Sequence, residues 1–340
     1  MPKLVSATEP VDIVYLWVDG SDPAWRRKRR RAAARLCAGH RDAMAVYGNV
    51  EGRFRDNDEL RYSLRALERY FPAHGHVYLV TDGQRPAWLI ESERLTVIDH
   101  SALMPAGALP TFDSGHIESY IHRIPGLSER FLYLNDDVFL GAPLRLEDWF
   151  WPGGIYTAWS DEAPVSDEPM RADATALDNA CRLSHQWLSA SPQQPVASYL
   201  PIFRTFAHAP RPMLRSVLFE LEELAPELFG TVRSTVFRVW NKPTIVSDFV
   251  MRWSLSRGCA KLRSYRHLFL ATGAAHEDTE AKSALQALIA AEGELDFFCL
   301  NDTTDDASAD DPRLLRVRAA LQQMFAVPSS FERSTGPASA

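Results

Sequence analysis

Cysteine is scarce in this 340-residue chain: Cys37, Cys181, Cys259 and Cys299 lie far apart, with no Cys-x-x-Cys pair. That argues against a disulfide framework or a zinc knuckle, and a reducing, cytoplasmic setting is expected. Long apolar runs are lacking too. None approaches the ~18 residues that a membrane-spanning helix needs. Met1 to Pro10 has neither an apolar core nor a cleavage site, so no signal peptide is expected. A cationic excess is also missing. Lys plus Arg is 37 and Asp plus Glu is 44, a net charge of -7, which argues against general nucleic-acid binding. With 46% apolar and 24% charged residues, the chain is neither disordered, collagen-like nor a coiled coil. Its length allows one large domain or two ordinary ones.

What is present has a clear order. Four short apolar runs read as strands: Asp12 to Val18, His76 to Thr81, Arg94 to Asp99 and Phe131 to Leu134. Such runs suit strands buried on both faces of a parallel sheet. Between the first two, Leu60, Leu64, Leu67 and Phe71 form one stripe at helical spacing, with Asp56 as the expected cap, Glu59 three residues on and Pro72 after it. A second helix is predicted over Ser114 to Arg123. A third is predicted over Arg211 to Leu224, with Pro212 in its first turn. Asp161 to Pro201 is rich in Pro, Ser and Ala and reads as irregular, Asp302 to Asp311 as an exposed loop and Glu332 to Ala340 as a frayed tail. Strands alternating with helices predict a doubly wound α/β fold, its mostly parallel sheet flanked by helices, with a mainly helical C-terminal part.

Charge is uneven. Arg26 to Arg31 is six cations in a row. It reads either as a solvated helix face or as a patch that meets an anionic membrane surface or an anionic polymer.

Several segments carry chemistry. Leu134-Asn135-Asp136-Asp137-Val138 runs a buried strand into two adjacent carboxylates. Ligands of open α/β sheets sit beyond the carboxyl ends of the strands, where such a pair can hold Mg²⁺ or Mn²⁺ against a diphosphate. A plain turn is the alternative. Trp17 to Pro23, with Asp19 and Gly20, and Thr81-Asp82-Gly83 repeat this strand-then-turn pattern. Glu118 and His122, four apart, would share a helix face, but no third ligand for zinc is evident. His208 precedes Arg211 and Arg215, with Arg233 and Arg238 further on; arginine suits bidentate phosphate contacts, though these residues would equally solvate a helix pair. Phe297 to Asp302 is an aromatic strand ending in Asn301-Asp302.

Together these segments resemble the Stealth family of sugar-phosphate transferases. Asp12 to Pro23 (DIVYLWVDGSDP) resembles its first block. Arg53 to Tyr70, Val77 to Leu89 and Leu109 to Gly141 resemble its long second block, His208 to about Leu255 its third and Phe297 to Asp302 its fourth. The third block departs from the family pattern, because Val-Trp-Asn-Lys-Pro follows Arg238. The resemblance implies transfer of a sugar 1-phosphate from a nucleotide sugar, a UDP-sugar by expectation, to a saccharide hydroxyl, with release of UMP, in capsule or cell-surface polysaccharide synthesis. It implies a divalent metal, Mg²⁺ or Mn²⁺, on Asp136 and Asp137. Asp19, Gly20, Asp58, Arg61, Asp82, Gly83, His122, Arg123, Arg233 and Asn301 would bind substrate, and His208, Asp137 and Arg238 would carry the chemistry. His208 is assigned as the proton acceptor, with Asp137 or His122 as rivals. The implied organisation is a flexible stretch 1–10, a single catalytic domain 11–302, and an acidic loop, terminal helix and tail 303–340. Within the domain, 11–150 would bind the nucleotide sugar, 151–205 would be an irregular insertion and 206–302 a helical half that completes the site. The basic run would hold the enzyme at the inner membrane face. Two other functions stay open: a metal-dependent glycosyltransferase that releases UDP, and a saccharide-binding protein without turnover.

Overall fold

A computed structural model describes residues 10–272, 278–302, 304–308 and 310–333. In chain order the strands are β1 (Asp12–Leu16), β2 (Val77–Thr81), β3 (Leu95–Asp99), β4 (Arg130–Asn135), β5 (Val138–Leu140), β6 (Phe150–Trp151), β7 (Gly154–Thr157), β8 (Arg211–Leu214), β9 (Ala260–Leu262), β10 (His267–Ala271) and β11 (Phe297–Asn301). The main sheet has the order β3-β2-β1-β4-β8. Its first four strands are parallel, with Leu16 opposite Val80 on one side and Asn135 on the other. β1 and β2 are buried along their whole length, as their unbroken apolar runs require. Asp12, buried at the start of β1, accepts the backbone N–H groups of His76 and Ser128, each at 2.8 Å, and so ties three chain segments at the amino end of the sheet.

The Glu59–Tyr70 helix buries Leu60, Leu64 and Leu67 against this sheet. Ser63 Oγ donates to the carbonyl of Val138 at 2.8 Å, so its remaining contact, Tyr15 Oη at 2.9 Å, is one in which the tyrosine donates. The helix starts later than the Asp56 cap predicts. Asp56 instead accepts the N–H of Asp58 at 2.9 Å, Asp58 takes a left-handed conformation (φ 66°), and the Glu59 carboxylate turns back to the N–H of Asn57. An aspartate that closes a turn on its own backbone is not free to cap a helix.

Other elements differ from expectation for equally local reasons. Arg211 to Leu214 is not the first turn of a helix but β8, antiparallel to β4, and the helix begins at Arg215. Pro212 is tolerated because β8 is the edge of the sheet, where a missing N–H breaks no ladder. The predicted Ser114 to Arg123 helix is one turn, Ser114–Glu118, and then a separate 3₁₀ turn, Ile121–Arg123. Ser119 Oγ donates to the carbonyl of His116 at 2.7 Å where the helix stops. The expected irregular insertion 151–205 contains β7, and the stretch Asp161 to Pro201 within it holds a 15-residue helix, Ala176–Ala190. The buried face of that helix is Ala176, Asn179, Ala180, Cys181, Ser184 and His185, too small and polar to show as an apolar stripe. The part after residue 205 holds β8 to β11 as well as helices. Two smaller sheets, β10-β11-β5 and β6-β7-β9, complete the body.

The expected loop and tail are partly anchored. Asp302 is buried on Arg55 at 2.5 Å, and Arg55 also reaches the carbonyl of Ala307. Glu332, with 1% of its side chain exposed, accepts Arg61 Nε and Arg65 Nε, both at 2.6 Å. Residues 1–9 and 334–340, which hold most of the expected flexible ends, lie outside the described residues. Among the described residues, no helix is long and apolar enough to cross a membrane.

Burial alone would raise the pKa of Glu332, but Arg65, the Ser329 N–H and Arg61 outweigh it and hold the carboxyl near 2 instead of 4.5. A carboxyl whose pKa falls on folding stabilises the fold above its unfolded value, and that contribution vanishes as pH falls toward the folded value. Glu332→Gln is therefore expected to cost about 2–3 kcal/mol near pH 7, with the gap to the parent closing between about pH 4.5 and 2. Urea unfolding across that range checks it; a gap that stays constant with pH would sink the assignment.

Candidate active site

β1 leads along the chain to β2 on one side, while its other neighbour, β4, arrives later from the far end of the domain. At such a change of direction a crevice opens beyond the carboxyl ends of the strands. Leu16 at the end of β1 with Trp17 and Val18 beyond it, Val80 of β2 with Asp82 beyond it, and Asn135 at the end of β4 with Asp136 and Asp137 beyond it line one cavity there. His208 and Arg238 line it too, as does Asn301 at the end of β11.

The acidic pair sits where the chain leaves the main sheet for the second one. β4 ends at Asn135, β5 starts at Val138, and β5 pairs with β11 through Val138 and Cys299. The Asp137 carbonyl accepts the Leu300 N–H at 3.0 Å, and its Oδ2 accepts Asn301 Nδ2 at 3.2 Å. Backbone pairing on both sides thus holds two adjacent half-buried carboxylates at the cavity. Burial, together with Asp137, pushes the Asp136 carboxyl well above its usual range; burial raises Asp137 as well.

Cationic groups face this pair. Arg53, Arg211 and Arg238 line the same cavity. Burial, with Arg238 nearby, lowers Arg53 to about 9, and its Nε has no hydrogen-bond partner. Arg238 donates to Ser114 Oγ at 2.7 Å. Burial, then Arg211 and Arg238, depress His208 to about 3, so its ring is neutral at ordinary pH. Its Nδ1 is buried and unpartnered. A cavity lined by carboxylates, guanidinium groups and a neutral imidazole has the chemistry to hold a diphosphate and to accept a proton.

Arg238 reaches the cavity because of Asp113. That carboxylate is fully buried, accepts Gly115 N–H at 3.1 Å and Thr235 Oγ1 at 2.7 Å, and pairs with the buried Lys242 at 2.6 Å. Burial works the other way, yet Lys242 and Arg238 bring its pKa down to about 2. Phe112 N–H to the carbonyl of Val236 at 2.7 Å completes the clasp, and Phe112 and Phe237 stack 5.1 Å apart.

Eight of the predicted substrate-binding residues do not line the cavity. Asp19 closes the turn after β1 on Ser21 and Gln84. Gly20 lies so close to the carbonyl of Phe54 that a Cβ would sit 2.2 Å from its oxygen. Gly83, at φ 68°, makes the turn behind Asp82. Asp58 pairs with Arg318 at 3.6 Å, and Arg61 with Glu332. His122 is buried with Nε2 2.7 Å from Glu222, which also takes Arg123 and Arg233. The break after Glu118 turns His122 away, so the predicted Glu118–His122 face does not exist and His122 is no rival as proton acceptor. Conversely, Arg53, Arg211, Glu59 and Glu118 line the cavity though none is among the expected site residues; Glu118 accepts Tyr133 Oη at 3.0 Å. Arg53 opens the Arg53 to Tyr70 stretch but belongs to no periodic pattern; only its place on the cavity wall sets it apart.

Among the described residues no three His, Cys, Asp or Glu side chains form a metal cage. The donor chemistry still fits a hard cation. Asp137 Oδ1 is buried without a partner beside the Asp136 carboxylate, and a hard cation completes its shell with phosphate and water oxygens.

Residues 9–37 match Stealth protein CR1, conserved region 1; residues 53–157 match CR2, conserved region 2; residues 288–340 match CR4, conserved region 4. The chain belongs to the Stealth family. This Stealth protein is 38% identical to the exopolysaccharide phosphotransferase SCO2592 of Streptomyces coelicolor, over 97% of this chain and 34% of that one. It is also 38% identical to SCO6023 of the same organism, over 95% and 52%, and 32% identical to an exopolysaccharide phosphotransferase of Nocardia farcinica, over 96% and 62%. The chain thus spans from about a third to three fifths of the length of these relatives. The galactosyltransferase LgtC, solved with donor and acceptor sugar analogs, overlaps 94% of this Stealth protein and 98% of its own chain at a TM-score of 0.41 and 10% identity.

Removing one partner of a buried ion pair leaves an uncompensated charge, so Asp113→Asn in this Stealth protein is expected to cost about 3–5 kcal/mol. Asp113→Leu with Lys242→Met, which removes both charges, is expected to recover most of that loss. Chemical denaturation of both variants checks it; a double variant as unstable as the single one would show that the charges are not the cause.

Proposed function

We propose that this chain transfers a sugar 1-phosphate from a nucleotide sugar, a UDP-sugar, to a hydroxyl of a saccharide acceptor, with UMP leaving, in the synthesis of an exopolysaccharide or capsule. What carries the reading is the meeting of Asp136, Asp137, His208 and Arg238, drawn from segments far apart in sequence, around one cavity at the carboxyl ends of β1 and β4. The names of the relatives, exopolysaccharide phosphotransferases, support it.

In this reading the diphosphate of the donor lies between the acidic pair and the guanidinium groups of Arg53, Arg211 and Arg238. A divalent cation, Mg²⁺ or Mn²⁺, held by Asp136 and Asp137 would neutralise diphosphate oxygens. The acceptor oxygen bonds to the phosphorus that bears the sugar, and its proton passes to His208 Nδ1. The phosphorus–oxygen bond to UMP breaks, and UMP keeps the electron pair. Arg238 and Arg53 meet the charge that spreads over the phosphoryl oxygens, since phosphoryl transfer rests on positioning and charge neutralisation. His208 is neutral in the free protein and therefore able to accept; an anionic donor beside it raises its basicity where it is needed.

Incubation with a panel of UDP-sugars and a saccharide acceptor, followed by mass analysis of the nucleotide, is expected to give UMP. Release of UDP would make this chain an ordinary glycosyltransferase, and binding without any nucleotide release would make it a saccharide-binding protein. His208→Ala is expected to lower turnover by about 10²–10⁴-fold with donor affinity largely kept. An equal loss of donor binding would count against the proton-accepting role.

A further inference from the structure

We propose that the groove along the Pro23–Arg35 helix binds the phosphodiester-bearing saccharide chain on which the enzyme acts. This rests on the function proposed above, because transfer of a sugar 1-phosphate to a hydroxyl creates a phosphodiester, and repeated transfer creates a polyanion.

Of the six cations in the run, Arg26, Lys28 and Arg29 are partnered, and Arg27, Arg30 and Arg31 are exposed; Arg35, one turn further on, continues the face of Arg27 and Arg31. Arg29 turns inward, onto Asn49 and Glu51 and over the Phe54 ring at 4.3 Å. Arg26 pairs with Glu51 and Lys28 with Asp82. Arg27, Arg31 and Arg35 are exposed and make no hydrogen bond or ion pair among the described residues. They stand four residues apart, hence on one helix face about 6 Å from one to the next. Like charges at that spacing destabilise a helix, and no carboxylate on the groove wall offsets them. With Lys28 they line a groove of about 660 Å³ whose floor is apolar, including Leu36 and Val236. In a chain of net charge -7 this is a local concentration of positive charge.

The groove adjoins the cavity. Lys28 pairs across to Asp82, a cavity residue, and Pro110 on the groove wall leads directly into Thr111 and Phe112 on the cavity wall. A chain lying in the groove is thereby led toward the reacting hydroxyl. The concave shape favours a chain over a bilayer, which a convex cationic face would meet better.

The test compares a labelled oligosaccharide joined by phosphodiesters with the neutral oligosaccharide of the same sugars. The protein is expected to prefer the anionic probe, with affinity falling as salt rises. Replacing Arg27, Arg31 and Arg35 together with alanine is expected to weaken binding of the anionic probe roughly tenfold, because each exposed charge pair adds only a modest gain. Nucleotide release with a short uncharged acceptor is expected to stay as in the parent. The corresponding triple lysine variant keeps the charge and is expected to keep most of the binding, which separates charge from folding. Equal affinity for both probes would overturn the proposal. So would binding to vesicles of phosphatidylglycerol and phosphatidylcholine without binding to the anionic probe. No donor enters these binding measurements, so a UDP product would overturn the proposed function without altering them.

Discussion

One buried carboxylate holds the candidate site together. Asp113 lies after β3 in the first half of the chain, and its partners, Thr235 and Lys242, lie in the second. Their pairing draws the segment from Val236 to Arg238 against the short Ser114–Glu118 helix, where Phe112 and Phe237 stack. Arg238 then points into the crevice that the order of the parallel strands has already opened. Without this clasp the strand ends would still form a cavity, with Arg53 and Arg211 on it, but Arg238 would be missing. A buried ion pair is a weak source of net stability, and its value here lies in fixing which segments meet.

The cavity combines features that disfavour the empty state. Two adjacent half-buried carboxylates are driven toward their neutral forms, Arg53 is half-buried with its Nε unpartnered, and His208 is held far from protonation. Each is a cost that a ligand with charges of both kinds would relieve. A diphosphate brings negative charge to the arginines, and a cation brings positive charge to the aspartates. Perturbed groups of this kind concentrate where binding or chemistry occurs, because the fold holds them against their own preference.

The second group of arginines illustrates how one sequence feature serves two ends. Arg26 to Arg31 is uniform as a string of letters, but helical geometry sends its members in different directions. Arg29 builds the wall behind the Trp25, Phe54 and Phe112 rings, while the residues at steps of four form an open face.

By itself, the sequence determined what local physics controls. The buried runs of β1, β2 and β4 announced a parallel sheet, the stripe of the Glu59–Tyr70 helix was plain, and the motifs carried the family. The acidic pair was legible because strand and turn chemistry are both local. The Ala176–Ala190 helix was not, since its buried face is small and polar. β8 was not, because whether a proline tops a helix or edges a sheet depends on a neighbouring strand. Only the tertiary structure decided that His208 and Arg238 share a cavity with Asp137 while His122, Arg123 and Arg233 serve Glu222. Which charges meet across a hundred residues of chain is set by packing and burial, and those are properties of the folded whole.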